Sequence, residues 1–349
     1  MKKILFTGGG SAGHVIPNLA LIEELLSDGE FSVCYMGTNG IEKRLITEWD
    51  IPFYEVECPK LIRGKSWEAF KRNLRIPVEF HHAKKQALEG LKHTRPDVVF
   101  SKGGYVSLPV VWAAKKLNIP CFSHESDFSP GLANRLIARK CRYIFTSFPE
   151  TAKRLPHGKY SGAPLRRSIF NSTRAEARKH FSIPFHSKVL LIFGGGSGSK
   201  LINDAIRKHL KRLTDEYVIL HICGKGNMVE TTLKNYRQFE FITDMGMAYA
   251  CADLVLSRAG AGTIFELLAL KKPALLIPLE GQTRGDQMEN AAYFQEKGLC
   301  HVLKQSHLSS LPQAVEEAFA DKQMKERLQQ NPFQSGNQTI LTEIKKALR

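Results

Sequence analysis

The sequence predicts an α/β protein with two Rossmann-like domains, each a parallel sheet with helices on both faces. Its 349 residues suggest two domains at about 150 residues each. Short apolar runs alternate with helical patterns in both halves, as successive β-α-β units do. Both halves also open alike, because residues 4–10 (ILFTGGG) and 190–196 (LLIFGGG) each read as a strand that runs into a glycine cluster.

Apolar runs place the strands and helices. In the first half, the predicted strands are 3–8, 31–37, 53–57, 98–100, 120–124 and 143–147. In the second half, they are 188–194, 217–224, 239–243, 254–258 and 274–278. Predicted helices between them include 17–27, 200–213 and 262–269. Turn residues at 161–164 indicate domains over 1–162 and 163–335, with a final helix in 336–349 that either domain could hold.

Composition restricts the partners and the compartment. The chain has 50 Lys and Arg against 34 Asp and Glu, a net charge of +16, which favours nucleic acid, a phosphorylated substrate or an anionic membrane surface. No nucleic-acid-binding motif is present, so that class is disfavoured. No apolar run reaches the roughly 18 residues of a membrane span, and no signal peptide is evident, so we expect the cytoplasmic side. The seven cysteines lack metal-ligand spacing, which indicates buried apolar side chains.

The first glycine motif covers residues 7–17 (TGGGSAGHVIP). Such a turn before a helix suits a phosphate, because its backbone N–H groups point at the ligand. Its spacing fits GxGxxG, but a dinucleotide enzyme also needs an acidic residue at the end of the second strand. Residues 35–39 (YMGTN) contain none, which disfavours a nicotinamide or flavin. His14 is either a base or a residue that caps local backbone.

Three further motifs follow predicted strands. Residues 101–107 (SKGGYVS) contain paired glycines, which indicate a close approach to a ligand or simply a tight turn. Residues 124–127 (HESD) place polar groups at a strand end, for substrate hydroxyls or for helix capping. Residues 194–200 (GGGSGSK) suit a diphosphate at a helix N-terminus. They lack the Gly-Lys-Ser/Thr ending of a P-loop, so ATP or GTP hydrolysis of that kind is disfavoured.

The most informative motif lies between residues 241 and 290. Glu266, in the early turns of a helix, can accept hydrogen bonds from both ribose hydroxyls, although a carboxylate that complements the helix dipole is the alternative. Asp286, Gln287 and Asn290 offer polar groups on one helix face. The combination suits a nucleotide sugar, with the base at Ile242, the ribose at Glu266, the phosphates at the glycine loop and Arg258, and the sugar at Asp286 and Gln287.

These motifs together resemble the MurG family of UDP-N-acetylglucosamine transferases. The resemblance is carried by residues 8–17, 103–107, 124–135 and 257–266, and it runs from Lys3 to about Leu303. It implies the GT-B class, with two Rossmann-like domains facing across a cleft. The implied enzyme is an inverting hexosyltransferase without metal or cofactor. It would use UDP-N-acetylglucosamine and the polyprenyl-diphosphate-linked muramyl peptide lipid I to form lipid II in peptidoglycan biosynthesis.

The resemblance also implies site residues. His14 and Asp127 would be catalytic, with His14 first as the base. The implied substrate-binding residues are Ser11, Gly13, Tyr105, Arg166, Gly195, Gly196, Ser197, Ile242, Arg258, Gly260, Glu266, Asp286 and Gln287. The first domain would bind the acceptor and the second the UDP-sugar.

Residues 61–95 interleave basic and aromatic side chains, which suits an anionic membrane surface, although a solvated basic helix is the alternative. We therefore expect a peripheral protein at the cytoplasmic face of the cell membrane. The nearest alternative is a transferase of the same fold with another nucleotide sugar, glycolipid or small-molecule acceptor. A UDP-sugar epimerase would not need the basic and apolar acceptor surface.

Overall fold

The computed structural model describes residues 1–62, 66–196, 198–281 and 286–348. Two compact units divide the chain. The N-terminal unit comprises Met1–Arg166 and Ser335–Arg349, and the C-terminal unit comprises Arg167–Gln334. The last helix, which the sequence assigns to neither domain, therefore belongs to the N-terminal unit.

The N-terminal unit is built on a seven-stranded parallel sheet in the order β3-β2-β1-β4-β5-β6-β7. Its strands are β1 (Lys2–Thr7), β2 (Phe31–Gly37), β3 (Phe53–Glu55), β4 (Val98–Ser101), β5 (Cys121–Glu125), β6 (Tyr143–Thr146) and β7 (Gly158–Tyr160). Consecutive strands run outward in opposite directions from the β1–β4 pair, so the topological switch point lies there. In open α/β sheets, ligands bind outside the carboxyl ends of the strands at such a point.

Helices cover both faces of this sheet. They are α1 (Ala12–Ser27), α2 (Ile41–Thr47), α3 (Trp67–Asn73), α4 (Ile76–Thr94), α5 (Ser107–Lys116), α6 (Leu132–Ile137), α7 (Pro149–Arg154) and α16 (Asn337–Leu348). One apolar cluster joins the sheet to α1 and α16, and a second joins it to α4 and α5. Burial on both faces explains why the strands read as continuous apolar runs.

The C-terminal unit repeats the design with a six-stranded parallel sheet in the order β10-β9-β8-β11-β12-β13. Its strands are β8 (Lys188–Phe193), β9 (Tyr217–Ile222), β10 (Tyr236–Phe239), β11 (Leu254–Ser257), β12 (Ala274–Leu276) and β13 (His301–Val302). Its helices are α8 (Arg174–His180), α9 (Lys200–Lys208), α10 (Leu210–Glu216), α11 (Met245–Cys251), α12 (Ala261–Ala269), α13 (Asp286–Glu296), α14 (Leu311–Ala320) and α15 (Lys322–Gln330).

Several predicted elements differ from the structure. The predicted strand 239–243 was wrong, because β10 ends at Phe239 and Asp244 caps α11 by accepting the Met247 N–H. The predicted helix 200–213 is two helices that meet at His209. The predicted helix 17–27 begins five residues earlier, at Ala12. The short strands β7 and β13 were not predicted, because each is too brief to show an apolar pattern.

All seven cysteines are free thiols, six of them buried and Cys58 partly exposed, as the cysteine spacing predicts. Within the described residues, no helix combines the length and apolar character needed to cross a membrane. The same part of the chain contains no group of three or more His, Cys, Asp and Glu side chains placed to hold a metal ion.

Candidate active site

The first glycine loop packs directly against the turn that follows β4. A Cβ built on Gly10 would lie 2.7 Å from Cε1 of Tyr105, and one on Gly104 would lie 2.8 Å from the Gly9 carbonyl oxygen and 3.2 Å from Nδ1 of His14. Gly10 and Gly104 have φ values of 81° and 80°. Only glycine adopts these conformations readily while allowing such close contact. The β1–β4 switch point therefore brings His14 and Tyr105 together.

His14 is held by the loop that precedes it. Its Nδ1 lies 3.0 Å from the Gly9 carbonyl oxygen and 3.1 Å from Oγ of Ser11. A carbonyl oxygen only accepts hydrogen bonds, so Nδ1 carries the proton in the neutral ring and Nε2 carries the lone pair. In this tautomer Nε2 is unprotonated, so it can accept a proton as a general base. Ser11 and Gly13 are exposed at the start of α1.

Glu125 organises the loop that carries Asp127. Glu125 is 5% exposed. Its Oε1 accepts the Asp127 backbone N–H at 3.0 Å, and its Oε2 accepts the Gly131 N–H at 2.7 Å and Nδ2 of Asn134 at 2.9 Å. Three donors to one buried carboxylate form a rigid arrangement. Asp127, which is half-buried, is therefore presented from a fixed loop at the end of β5.

Two basic side chains near this loop, Lys102 and His124, are buried. Lys102 is 2% exposed, and burial lowers the pKa of its ammonium group. His124 is completely buried, and burial together with the Lys102 charge holds its pKa well below the usual range. Nε2 of His124 lies 3.1 Å from the Gly162 carbonyl oxygen and donates to it. The lowered pKa keeps the ring neutral near pH 7. Lys102 was not among the predicted site residues, although a lysine directly after a buried strand is an available signal.

A cavity of about 530 Å³ lies at the carboxyl edge of the C-terminal sheet. Its volume is typical of a small-molecule site. The residues that line it are Phe193, Gly194, Gly195, Gly198, Ser199, Lys200, Leu201, Arg258, Gly260, Thr263, Leu279, Gln287 and Gln305. Four of these, Gly195, Arg258, Gly260 and Gln287, were predicted as site residues from the sequence. Thr263, Leu279 and Gln305 were not, because isolated residues of these types carry no recognisable pattern.

The glycines around this cavity leave open space. A Cβ on Gly195, Gly196 or Gly260 would meet no atom of the described residues within 4 Å, whereas one on Gly194 would lie 2.3 Å from the Ser199 Cβ. Gly194 is therefore needed for the turn itself. The open glycines serve no packing purpose within the unit, and a ligand can approach their backbone closely.

Arg258 ties together the loops that follow four neighbouring strands. Its Nη2 donates to Oγ of Ser199 at 2.9 Å, and its Nη1 donates to the carbonyl oxygen of Ile277 at 3.2 Å and to Oε1 of Gln305 at 3.1 Å. Burial lowers the pKa of its guanidinium group. That Arg258 contacts a phosphate stays a prediction. Its hydrogen bonds hold the loops at the edge of the cavity together.

The other predicted donor residues lie near the same sheet edge. Glu266 is 9% exposed on α12, and its Oε2 accepts the Tyr249 phenol at 2.8 Å. Ile242 is half-buried between β10 and α11 rather than in a strand. Asp286 and Gln287 begin α13, and Oε1 of Gln287 accepts the Leu279 backbone N–H at 3.0 Å.

Five of the predicted donor residues that the structure describes lie outside the lining of the cavity: Arg166, Gly196, Ile242, Glu266 and Asp286. Arg166 is half-buried and is the last residue of the N-terminal unit before the chain continues at Arg167. Ser197 lies outside the described residues.

Comparison with known proteins defines the class. The model for the glycosyltransferase family 28 N-terminal domain matches residues 4–146, and the model for the C-terminal domain of that family matches residues 189–344. Each match covers most of one sheet unit. The protein is therefore a glycosyltransferase with two Rossmann-like units, the GT-B class.

More similar relatives identify the family. The chain is 44% identical over 315 residues to a Clostridium perfringens (strain SM101 / Type A) protein, covering 88% of this chain and 87% of the relative. It is 43% identical over 332 residues to one from Shouchella clausii, covering 93% and 92%. Both are named UDP-N-acetylglucosamine–N-acetylmuramyl-(pentapeptide) pyrophosphoryl-undecaprenol N-acetylglucosamine transferase. The chain belongs to this family, the MurG family.

Solved structures agree with this assignment. The crystal structure of Acinetobacter baumannii MurG is 25% identical, with a TM-score of 0.77, and the alignment covers 99% of this chain and 100% of that one. The calicheamicin glycosyltransferase CalG4 is 16% identical, with a TM-score of 0.71 over 100% and 98% of the two chains. At that identity the likeness shows the fold alone.

Proposed function

We propose that the protein transfers N-acetylglucosamine from UDP-N-acetylglucosamine to lipid I, a polyprenyl-diphosphate-linked muramyl peptide, and so forms lipid II. The names of its relatives state this donor and this acceptor. The structural observation that supports the proposal best is the open glycine cavity of the C-terminal unit. A cavity with exposed backbone amides at strand ends suits a diphosphate.

The donor binds in the C-terminal unit. Backbone amides of Gly195 and Gly196 and the N-terminus of α9 hold the diphosphate. Gly260 lets the nucleotide approach α12. Ile242 is proposed to contact the uracil, and Glu266 the ribose. Arg166, Ser197 and Arg258 are proposed to contact the diphosphate. Asp286 and Gln287 are proposed to bind the sugar hydroxyls.

The acceptor is activated by the N-terminal unit. Nε2 of His14 accepts the proton of the muramyl C4 hydroxyl while its oxygen attacks the anomeric carbon. The bond between that carbon and the β-phosphate oxygen breaks, and UDP leaves with the electron pair. Attack from the opposite face inverts the anomeric centre. Ser11, Gly13, Tyr105 and Asp127 orient the acceptor, and the donor amides stabilise the developing phosphate charge.

The activity is tested with radiolabelled UDP-N-acetylglucosamine and purified protein. Lipid I and alternative glycolipids are offered separately, and the labelled lipid is separated and quantified. We expect label in the lipid I reaction only, with the label in a β linkage. Label transferred to another lipid but not to lipid I would contradict the proposed acceptor.

We further propose peripheral docking on the cytoplasmic face of the membrane through α3 and α4. Trp67, Phe70, Leu74 and Val78 are 67%, 52%, 62% and 75% exposed. Trp67 and Phe70 stack with their ring centroids 5.3 Å apart. Large apolar side chains exposed among basic residues suit the interface of an anionic bilayer. Arg63 and Lys65 of the same predicted surface lie outside the described residues.

Vesicle binding tests the docking surface. Each Lys or Arg near an anionic bilayer contributes about 1 kcal/mol, so Lys71→Ala with Arg75→Ala should weaken binding to phosphatidylglycerol vesicles about thirtyfold. Lys208→Ala with Lys211→Ala, exposed in the C-terminal unit, is the matched control with the same charge change. Equal binding of both double variants would refute this surface.

A further inference from the structure

Glu42 is a fully buried carboxylate beneath the first glycine loop. Its Oε2 accepts the Gly10 backbone N–H at 3.1 Å. Its Oε1 accepts the Thr38 backbone N–H at 3.1 Å and a short hydrogen bond from the Thr38 hydroxyl. Backbone N–H groups of glycine-rich turns are typical donors to bound anions. Here the chain supplies that anion itself.

The Glu42 side chain fills the space beside Gly9 and occupies the Gly10 backbone N–H. A Cβ on Gly9 would lie 2.3 Å from its Oε1, so the absence of a side chain on Gly9 serves the approach of Glu42. The loop of the C-terminal unit differs, because a Cβ on Gly195 or Gly196 would meet nothing within 4 Å. The two segments share a strand-and-glycine pattern but differ in their surroundings. In the N-terminal unit a carboxylate lies against the glycines, and in the C-terminal unit the space beside the glycines is open.

Glu42 is connected to His14 and to Tyr105, the two residues proposed to contact the acceptor. Thr38, which donates to Glu42, is also the hydrogen-bonding neighbour of the Tyr105 phenol. Burial raises the pKa of that phenol, and the Glu42 charge raises it further. The Tyr105 ring packs on Gly10, whose N–H Glu42 accepts. On the same loop, the Gly9 carbonyl accepts from His14.

We propose that Glu42 is a positioning residue for the acceptor half of the transfer reaction. It acts as the built-in anion of the first glycine loop and so holds the backbone that orients His14 and Tyr105. This inference rests on the proposed function, in which these two residues serve the acceptor. It also explains how two similar loops differ in their roles, because the Gly10 amide of the first loop already binds the protein's own carboxylate.

Glu42→Gln tests the inference, because it keeps the shape of the side chain and removes its charge. One end of the amide must then face an N–H donor, so the loop loses its fixed conformation. We expect kcat to fall at least tenfold and KM for lipid I to rise, while Kd for UDP, measured by calorimetry, stays within twofold. Glu48→Gln, an exposed carboxylate at the end of α2, is the matched control and should change none of the three.

A second variant covers the case in which Glu42→Gln fails to fold. Thr38→Val keeps the bonds that Glu42 accepts from the Gly10 and Thr38 backbone N–H groups. It removes the Thr38 hydroxyl, which donates to Glu42 and neighbours the Tyr105 phenol. We expect a smaller loss of kcat in the same direction. Combined with Tyr105→Phe, the effect of Thr38→Val should be less than additive, because both changes break the same connection.

Ultraviolet titration of the Tyr105 phenol needs no substrate and separates the two hypotheses. The signal is the difference between the wild type and Tyr105→Phe, and Glu42→Gln should lower the Tyr105 pKa. Wild-type protein that makes no lipid II contradicts the proposed function, and the titration still decides whether Glu42 organises the loop. Unchanged kcat, lipid I KM and Tyr105 pKa in Glu42→Gln overturn the inference, as does a UDP Kd weakened in proportion to kcat.

Discussion

Single glycines in this protein differ in what surrounds them. Gly9 faces the Glu42 carboxylate, whereas Gly260 faces open space and has φ −67°, which any residue can adopt. Both belong to glycine motifs after a strand. Their substitution therefore separates a glycine needed for packing from one that leaves space for a ligand.

Gly260→Ala should preserve stability within about 0.5 kcal/mol and weaken UDP binding at least tenfold. Gly9→Ala should destabilise the protein, because overpacking costs about 1–3 kcal/mol. It should leave UDP binding unchanged, because the proposed donor site lies in the C-terminal unit. Thermal unfolding and calorimetric titration with UDP measure the two effects. If Gly9→Ala weakened UDP binding and Gly260→Ala left it unchanged, the assignment of the donor to the C-terminal unit would be contradicted.

His14 is the residue on which the proposed chemistry depends most. His14→Ala should lower kcat about 100- to 10,000-fold, the usual contribution of a general base. The Kd for UDP should stay within twofold, since the proposed nucleotide site lies in the C-terminal unit. Steady-state kinetics with lipid I measure the first effect, and exposed His186→Ala is the control. Unaltered turnover would refute the assignment.

At the scale of elements, β9 is tied to its neighbours by a buried histidine. Nδ1 of His221 accepts from the Tyr236 phenol of β10 at 2.8 Å, and its Nε2 donates to Oδ1 of Asn203 of α9 at 3.0 Å. Burial lowers the pKa of His221 to about 3. The ring is therefore neutral in the folded protein at every pH near neutrality.

This histidine should make stability sensitive to acid. Below pH 6.5 the unfolded chain binds a proton at His221 that the folded chain does not, so the free energy of unfolding falls as the pH drops toward 3. Between pH 7 and pH 5, this loss is about 2 kcal/mol. Urea unfolding followed by circular dichroism should show that His221→Gln loses less stability than the wild type over this range.

His186→Gln is the control for that experiment, because it makes the same substitution at an exposed histidine outside β9. If the free energy of unfolding fell equally with pH in the wild type and in His221→Gln, His221 would not be the cause of the acid sensitivity.

At the scale of the whole molecule, the two ends of the chain meet in one unit. Asn337, at the start of α16, donates from Nδ2 to Oε1 of Glu24 at 2.5 Å and to the Leu165 carbonyl oxygen at 2.9 Å. Its Oδ1 accepts the Leu165 N–H at 2.9 Å. One side chain thus joins α1, the end of the N-terminal unit's first segment and the last helix.

Asn337→Ala should destabilise the N-terminal unit by about 3 kcal/mol, because the buried Leu165 N–H and carbonyl lose their partner. All three tryptophans, Trp49, Trp67 and Trp112, lie in this unit, so tryptophan fluorescence during urea unfolding reports it selectively. Exposed Lys346→Ala should change stability by less than about 0.5 kcal/mol. Equal stability of Asn337→Ala and the wild type would contradict this role.

Much of the architecture followed from local pattern. Apolar runs identified ten strands close to their observed positions, and the paired glycine openings indicated two similar domains. β10 was misplaced because its polar residues Arg237 and Gln238 hide the strand, while the apolar pair Phe241 and Ile242 after it resembles one. In the C-terminal cavity, the glycines and Gln287 were predictable from motifs, whereas Gln305 enters the lining only through the order of strands in the sheet.

By itself, the sequence determined the α/β class, the two-domain division, the family and the motifs that follow the strands, because these depend on residues close together in the chain. Only the tertiary structure decided which glycine loop is open. The acid that closes the first one, Glu42, lies 32 residues from Gly10. It also decided where α16 belongs, through contacts between residues 313 apart. Whether a backbone amide meets a ligand or the protein's own carboxylate depends on distances between side chains, which spacing along the chain does not specify.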